Sequence, residues 1–247
     1  MRPSYADQRD IFNPKTFNWN VHLIGLGGIG SALALPLVKV GLQTTLHLWD
    51  MDRQIEPHNV PAQLLYPACK IGPNAKAPTL AEQLQPYCDP GLKLVPHVER
   101  VTADTPLDGI VISGVDSMDA RREIWKAVGD NAVFYADGRI GGENCTALFV
   151  DFLARHAPDD PDLVERQVKY YEDGWLFPDS KGAQLPCTAR TVIHPPLLLS
   201  GLIIHQLTRF ARGLPVLNHA TMDAGSTFRS HTVKPNTSKS NQKGTTS

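Results

Sequence analysis

Between residues 25 and 121 the chain carries a series of groups that could hold a phosphate-bearing nucleotide and act on it. Gly25, Gly27 and Gly30 of GLGGIG form a G-x-G-x-x-G frame, with Gly28 inside it. Such a loop turns tightly, lets phosphates approach backbone N–H groups, and opens a helix whose N-terminal dipole favours anions. Asp50, in WDMD, is placed to accept hydrogen bonds from ribose hydroxyls. Asp52 adds a second acid. Two carboxylates beside phosphates make sense where a divalent cation and basic side chains join them, and magnesium takes one or two carboxylates together with phosphate oxygens. Further along stand His58, Asn59 and Gln63 in PHNVPAQ, Lys76 in IGPNAKA, and Asp116 at the end of GIVISGVD. Each alone has a plainer reading. Asp52 and Lys76 could be solvated charges, Asn59 could shape a turn, and Asp116 could cap the helix that begins at Ser117. The ordered set is much harder to obtain by chance. The glycine frame and Asp50 also fit an NAD-dependent oxidoreductase, which leaves Asn59, Gln63, Lys76 and Asp116 without a role.

One thiol stands apart. Cys187, in QLPCTARTV, precedes a helix-like segment and has Arg190 nearby. A helix N-terminus and a cation both lower a thiol pKa, although a small buried hydrophobe looks the same in sequence. Cys69, Cys88 and Cys145 read as structural, and His194 and His205 as core or edge histidines rather than metal ligands.

The elements that must position these groups alternate between strand and helix over the first 140 residues, the pattern of a doubly wound, Rossmann-like, mostly parallel α/β sheet. VHLIG (21–25) predicts a buried strand ending at the glycines, followed by a helix through GSALALPLVKVG. TTLHLWD (44–50) predicts a second strand that delivers Asp50, and APTLAEQLQPY a helix with Pro78 in its first turn. LKLVPHVERV and GIVISGVD (109–116) predict strands, SMDARREIWKAVG a helix, and AVFYAD another strand. NCTALFVDF predicts an antiparallel extension of the sheet, and residues 156–186 a long polar loop. A C-terminal apolar helix is expected from about Pro196 to Gly213, and a disordered tail over 230–247 behind a single domain over 1–229.

Of the 247 residues, 42% are hydrophobic and 20% charged, as in an ordinary globular chain. A net charge of −1 gives no electrostatic reason for nucleic acid or a membrane surface as partner. The four cysteines include no C-x-x-C pair, so no zinc ribbon or disulfide scaffold is expected. The first ten residues lack the apolar core of a signal peptide, and the longest apolar run is ten residues, so a cytoplasmic location is expected.

These residues together resemble the ThiF/MoeB/HesA superfamily, the fold of ubiquitin-activating enzymes, over roughly residues 9–213. The matching positions are the glycine loop Gly25–Gly30, Asp50 and Asp52, Asn59 and Gln63, Gly72 and Lys76, and Asp116 with Arg121 five residues on. YADGRIGGENCTALFV and LPCTAR also resemble family segments. The resemblance implies an adenylyltransferase that uses ATP and Mg²⁺ to activate the C-terminal carboxylate of a small ubiquitin-like, β-grasp protein. It implies ATP contacts from Gly25, Gly27, Gly28, Gly30, Asp50, Asp52, Asn59, Gln63 and Lys76, and a magnesium site at Asp116. Lys76 and Asp116 would stabilise the reaction, and Cys187 would take the acyl group as a thioester. A homodimer is implied, with Arg9 of the N-terminal segment reaching the partner's ATP. Two departures stand out. Many members carry arginine immediately before the glutamine, where this chain has Ala62, which raises the alternative of a nucleotide-binding scaffold without catalysis. The paired C-x-x-C zinc sites of some members are absent, so no structural zinc is implied.

Overall fold

The computed structural model describes residues 4–178, 192–223 and 227–235. Among these, eight strands form one sheet in the order β3-β2-β1-β4-β5-β6-β7-β8. The first five, β1 (Val21–Ile24), β2 (Thr45–Trp49), β3 (Lys93–His97), β4 (Gly109–Ser113) and β5 (Ala132–Gly141), pair in parallel. The other three, β6 (Asn144–Asp151), β7 (His219–Asp223) and β8 (Thr227–His231), extend the sheet antiparallel. This is the Rossmann-like α/β architecture with the antiparallel extension expected from NCTALFVDF. Strand order reverses between β1 and β4, and Ile24 is level with both Trp49 and Ser113. Their carboxyl ends therefore open side by side, the place where doubly wound sheets bind ligands.

Local chemistry accounts for the main elements. Strands β1 and β4 are buried at every position, as their uninterrupted apolar runs require. β3 accommodates Pro96 because it is the edge strand. Helix α1 (Gly28–Lys39) contains Pro36, which cannot donate to the carbonyl of Ala32 four residues back. Ser200 takes that carbonyl instead, its hydroxyl donating to it at 3.2 Å. Ser200 belongs to the long helix α6 (His194–Ala211), which packs against α1, so a helix defect becomes a helix–helix contact.

Two expectations are corrected. Residues 156–186 are not a continuous loop: α5 (Leu163–Trp175) spans their centre and buries Leu163, Gln167 and Tyr171 along one face. Gln167 hides this periodicity, being a polar residue in the apolar stripe; its Oε1 is satisfied by the backbone N–H of Asp151 at 2.9 Å. The tail expected from 230 loses its first two residues to the sheet, since Ser230 and His231 pair with Ala220 and His219. The remaining helices are the one-turn α2 (Asn59–Ala62), α3 (Lys76–Leu84) and α4 (Met118–Ala127). His194 and His205 are exposed, and so is Cys69; Cys145 is buried. No helix among the described residues is long and apolar enough to cross a membrane.

One face of β1, β2 and β3 carries stacked imidazoles and an indole. The rings of His22 and His47 lie 4.4 Å apart and those of Trp49 and His97 3.6 Å apart, near-parallel in both cases. His22 bonds Asp108 at 2.8 Å and accepts from the Trp49 indole at 3.2 Å. Burial lowers all three imidazoles, and His47 is brought down to about 4, with His22 and His97 adding to the effect. The unfolded chain therefore takes up protons at a pH where the folded one does not. Stability is expected to be flat above about 6.5 and to fall as pH drops from there towards 4. Urea denaturation across that range should show a smaller loss for His47→Leu than for wild type.

Candidate functional site

The glycine loop is held by contacts that need glycine. Gly25 has φ +82°, and a Cβ there would lie 2.9 Å from Val115 Cγ1 and 3.0 Å from the Gly114 backbone. A Cβ on Gly30 would lie 2.1 Å from the carbonyl oxygen of Gly25. The loop after β1 thus rests directly on the loop after β4. From below, the buried Tyr66 donates its hydroxyl to the carbonyl of Leu26 at 3.0 Å. Burial, with Asp50 and Asp52 nearby, pushes this phenol well above its usual range, so it stays a neutral donor.

Asp50 ties the loop to the end of β2. Its Oδ2 accepts the Leu26 N–H at 2.7 Å and its Oδ1 the Asp52 N–H at 2.9 Å. Each carboxylate oxygen keeps a second lone pair, enough for one ribose hydroxyl apiece. Burial raises the Asp50 carboxyl above its ordinary value, opposed by the Asp52 amide and by the Lys76 charge.

Lys76 arrives through a small backbone device. Ile55 and Gly72 form an isolated antiparallel bridge, with Gly72 at φ +121°. That bridge brings the start of α3 beside residue 52. The Lys76 amide donates to the Asp52 carbonyl at 3.1 Å, and its buried ammonium meets Asp52 Oδ2 at 2.6 Å. Gln63 follows the single turn of α2, with its Nε2 4.0 Å from where a Cβ on Gly27 would be. Its Oε1 is buried without a hydrogen-bond partner among the described residues. The carboxamide therefore has unused capacity beside the glycine loop, and either end can face a ligand.

Asp116 lies beyond the end of β4, not in it, on an exposed stretch. It is not the helix cap: Ser117 caps α4, its Oγ accepting the Ala120 N–H at 3.2 Å. The loop carrying Asp116 is braced from within the protein. Arg121 donates to the carbonyl of Val115, to that of Gly138 at 3.2 Å, and to Asp137 Oδ1 at 2.9 Å. Asp137 is fully buried and also receives Arg139, at 2.9 and 2.6 Å, and the Tyr171 hydroxyl at 3.0 Å.

The glycines, Asp50, Asp52, Gln63, Lys76 and Asp116 are thus gathered around the carboxyl ends of β1, β2 and β4. Three other candidates stand differently. Asn59 is buried, and its Oδ1 accepts the Glu56 N–H at 2.9 Å, which is the turn-shaping role for that oxygen. Arg9 is exposed on the N-terminal segment, where Gln8 bonds the Val40 carbonyl and Tyr5 covers Gly41. That is the far end of α1 from the glycine loop, about 18 Å for a twelve-residue helix. Cys187 and Arg190 lie outside the described residues. Sequence reasoning missed Tyr66, Asp137 and Arg139. An acid ending the apolar run AVFYAD is the same signal that marked Asp116, and it could have found Asp137. Ala62 stands over the loop, its carbonyl oxygen 3.5 Å from the Cβ position of Gly28, and it brings no charge there. No cluster of three metal-ligating side chains occurs among the described residues.

This fold is of the doubly wound α/β class, with the candidate site at its switch point. The chain belongs to the ThiF family, whose model matches residues 8–244. No curated protein sequence matches it significantly. Among solved structures, it is similar to E. coli MccB crystallised with ATP, with TM-score 0.64 and 14% identity over 93% of this chain and 68% of that one. It is also similar to MccB in complex with N-formylated MccA, with TM-score 0.63 and 14% identity over 95% and 70%. PaaA matches with TM-score 0.63 and 15% identity over 86% of this chain, which spans only 63% of the PaaA length. These similarities establish the shared fold.

Proposed function

We propose that this protein is an ATP-dependent adenylyltransferase that activates a carboxylate of a peptide or protein. The observation that carries the reading is the meeting of the glycine loop with Lys76 and Asp116, residues that a dinucleotide site does not call for. Membership of the ThiF family and the fold shared with MccB, which has been crystallised with ATP, support it.

In this reading a carboxylate oxygen bonds to the α-phosphorus of ATP as the bond from that phosphorus to pyrophosphate breaks. The carboxylate is already ionised at pH 7, so no general base is needed. The site has to align two anions and offset their charge. The loop amides hold phosphate and Asp50 holds the ribose. Lys76 has three N–H donors, so it can keep Asp52 and still donate to a phosphate oxygen. Asp116 fits magnesium: it is exposed, it has no hydrogen-bonded or ion-paired partner among the described residues, and a single carboxylate suffices where phosphates supply other ligands. When bound, the ion offsets phosphate charge; Gln63 is placed to bond its water shell or the phosphates.

The finer reading follows the family resemblance. The substrate is the C-terminal carboxylate of a small β-grasp protein, Cys187 receives the acyl group as a thioester, and the enzyme works in the cytoplasm. It does so as a homodimer, with Arg9 serving the partner's site, since it lies an α1 length away from its own.

Thermal unfolding tests the core of this. A ligand at 100 times its dissociation constant stabilises the native state by about 2.7 kcal/mol. For a chain of this size that is a rise of about 5–10 °C. The rise is expected with Mg·ATP, to be much reduced in Asp116→Ala, and to be absent with NAD⁺ or NADH. A rise with NADH alone would replace adenylation by hydride transfer.

A further inference from the structure

Beneath the loop that carries Asp116 lies a cluster of buried charges that does not balance. Arg121, Arg139 and Asp137 have side chains 7%, 14% and 0% exposed. Among the described residues, two cations face one anion here. The tyrosines that close the cluster do not offset the excess: the Tyr135 and Tyr171 hydroxyls bond each other at 3.1 Å, and burial raises both well above their usual range, so both are neutral. Of the acids on α4 and α5, Asp119 pairs with Arg122, Glu172 accepts from the Trp125 indole, and Asp173 pairs with Lys169; Asp116, on the loop above, is exposed rather than buried with the cluster.

The excess resides on Arg139. Arg121 has its donors occupied by Asp137, by the Val115 and Gly138 carbonyls and by the Met118 sulfur. Arg139 gives Nε and one terminal nitrogen to Asp137, but its other terminal nitrogen, Nη1, is buried with no hydrogen-bond partner among the described residues. Buried guanidinium donors are ordinarily satisfied, so an orphan of this kind calls for an acceptor that arrives from outside. The guanidinium carbon lies over the rings of Trp175 and Phe177, 5.6 and 5.7 Å from their centroids. Its place is equally specific. Asp137 is level with Ser113, so Arg139 is carried two residues past the end of β4. The Arg121 nitrogen that reaches both Val115 and Gly138 keeps this extension of β5 against the Asp116 loop.

We propose that Arg139 is the residue that receives the substrate's reacting carboxylate, donating to it through Nη1 while Asp137 holds the guanidinium in place. The inference rests on the adenylation reading and deepens it. Planar, oriented guanidinium suits a carboxylate better than an ammonium would. It would bring the second anion to the edge of the phosphate site already neutralised. Adenylation then removes the carboxylate's charge and weakens its hold on Arg139, which favours onward transfer of the acyl group.

The test uses the full chain with Mg·ATP and two pools of N-acetylated heptapeptides, identical except that one ends in free carboxylates and the other in amides. Pyrophosphate release is expected with the acid pool alone. In Arg139→Met the KM for that pool is expected to rise about 10- to 100-fold, the range for losing a hydrogen bond to a charged group. The KM for ATP should be unchanged, and Arg139→Lys should recover part of the loss. Arg139→Met leaves Asp137 with Arg121 and Tyr171, so the fold should survive; its melting temperature checks this. An unchanged KM for the acid pool in Arg139→Met overturns the proposal. A second readout does not need turnover: the Arg139 Nε–H resonance, assigned by its loss in Arg139→Lys. It should shift saturably with the acid pool and not with the amide pool. Wild type that releases no pyrophosphate but shows that shift would sink adenylation and keep Arg139 as a carboxylate site. Absence of the shift would sink the Arg139 assignment itself.

Discussion

Replacing Gly30 by alanine is expected to abolish nucleotide binding and to cost at least about 3 kcal/mol of stability, the upper part of the range for overpacking a filled site. The added Cβ would stand 2.1 Å from the Gly25 carbonyl oxygen and 3.0 Å from its carbon. Both are backbone atoms, so no rotamer change can relieve the contact. Either α1 moves off the end of β1 or the loop opens, and in both cases the amides lose their common aim. Gly28→Ala is the control. Its Cβ would meet Pro196 at 3.4 Å and the Ala62 carbonyl at 3.5 Å, ordinary contacts, and alanine at a compatible backbone position restricts the unfolded chain, which stabilises by about 0.4–1 kcal/mol. Gly28→Ala should therefore fold at least as well as wild type. Urea denaturation of the two variants, with a Mg·ATP thermal shift, checks the pair. Equal stability of the two would mean the helix–strand approach is looser than described.

Asp137→Asn is the second large effect. It keeps the shape of the side chain and leaves Arg121 and Arg139 in the interior with no anion between them. Removing one partner of a buried pair typically costs about 3–5 kcal/mol, because the remaining charge is desolvated and uncompensated. For this chain that corresponds to a fall in melting temperature on the order of 10 °C. Adding Arg139→Met to Asp137→Asn removes one of the two stranded cations and should restore part of the loss. Such non-additivity is the signature of a shared network. Simple addition of the two single effects would show that Asp137 and Arg139 act independently.

Much of this protein was legible in the chain alone. Glycines at 25, 27 and 30 after an apolar run, acids ending the runs TTLHLWD and GIVISGVD, and alternating periodicity fixed the class of fold and the edge of the sheet where ligands bind. Those signals are local: a strand's burial and a loop's tightness depend on neighbouring residues. Other features were not local. Gln167 disguised α5 because its polarity is satisfied by the backbone of Asp151, on strand β6. Asn59 and Gln63 look alike in sequence, yet the side-chain oxygen of one is taken by its own turn and that of the other has no partner among the described residues, in a side chain beside Gly27.

Lys76 could be read from sequence as a surface charge or a site residue. The bridge between Ile55 and Gly72 decided it, by setting its ammonium on Asp52. Arg9 matched a motif position, but α1 places it at the opposite end of the helix from the loop. The charge excess at Arg139 exists only because one strand, β5, and two helices, α4 and α5, bring Asp137, Arg121 and Tyr171 to one buried point. Residue types and their spacing determined which chemistry is available and on which edge of the sheet. Tertiary structure decided which groups remain free to perform it, because only packing sets what each side chain has already spent on the protein itself.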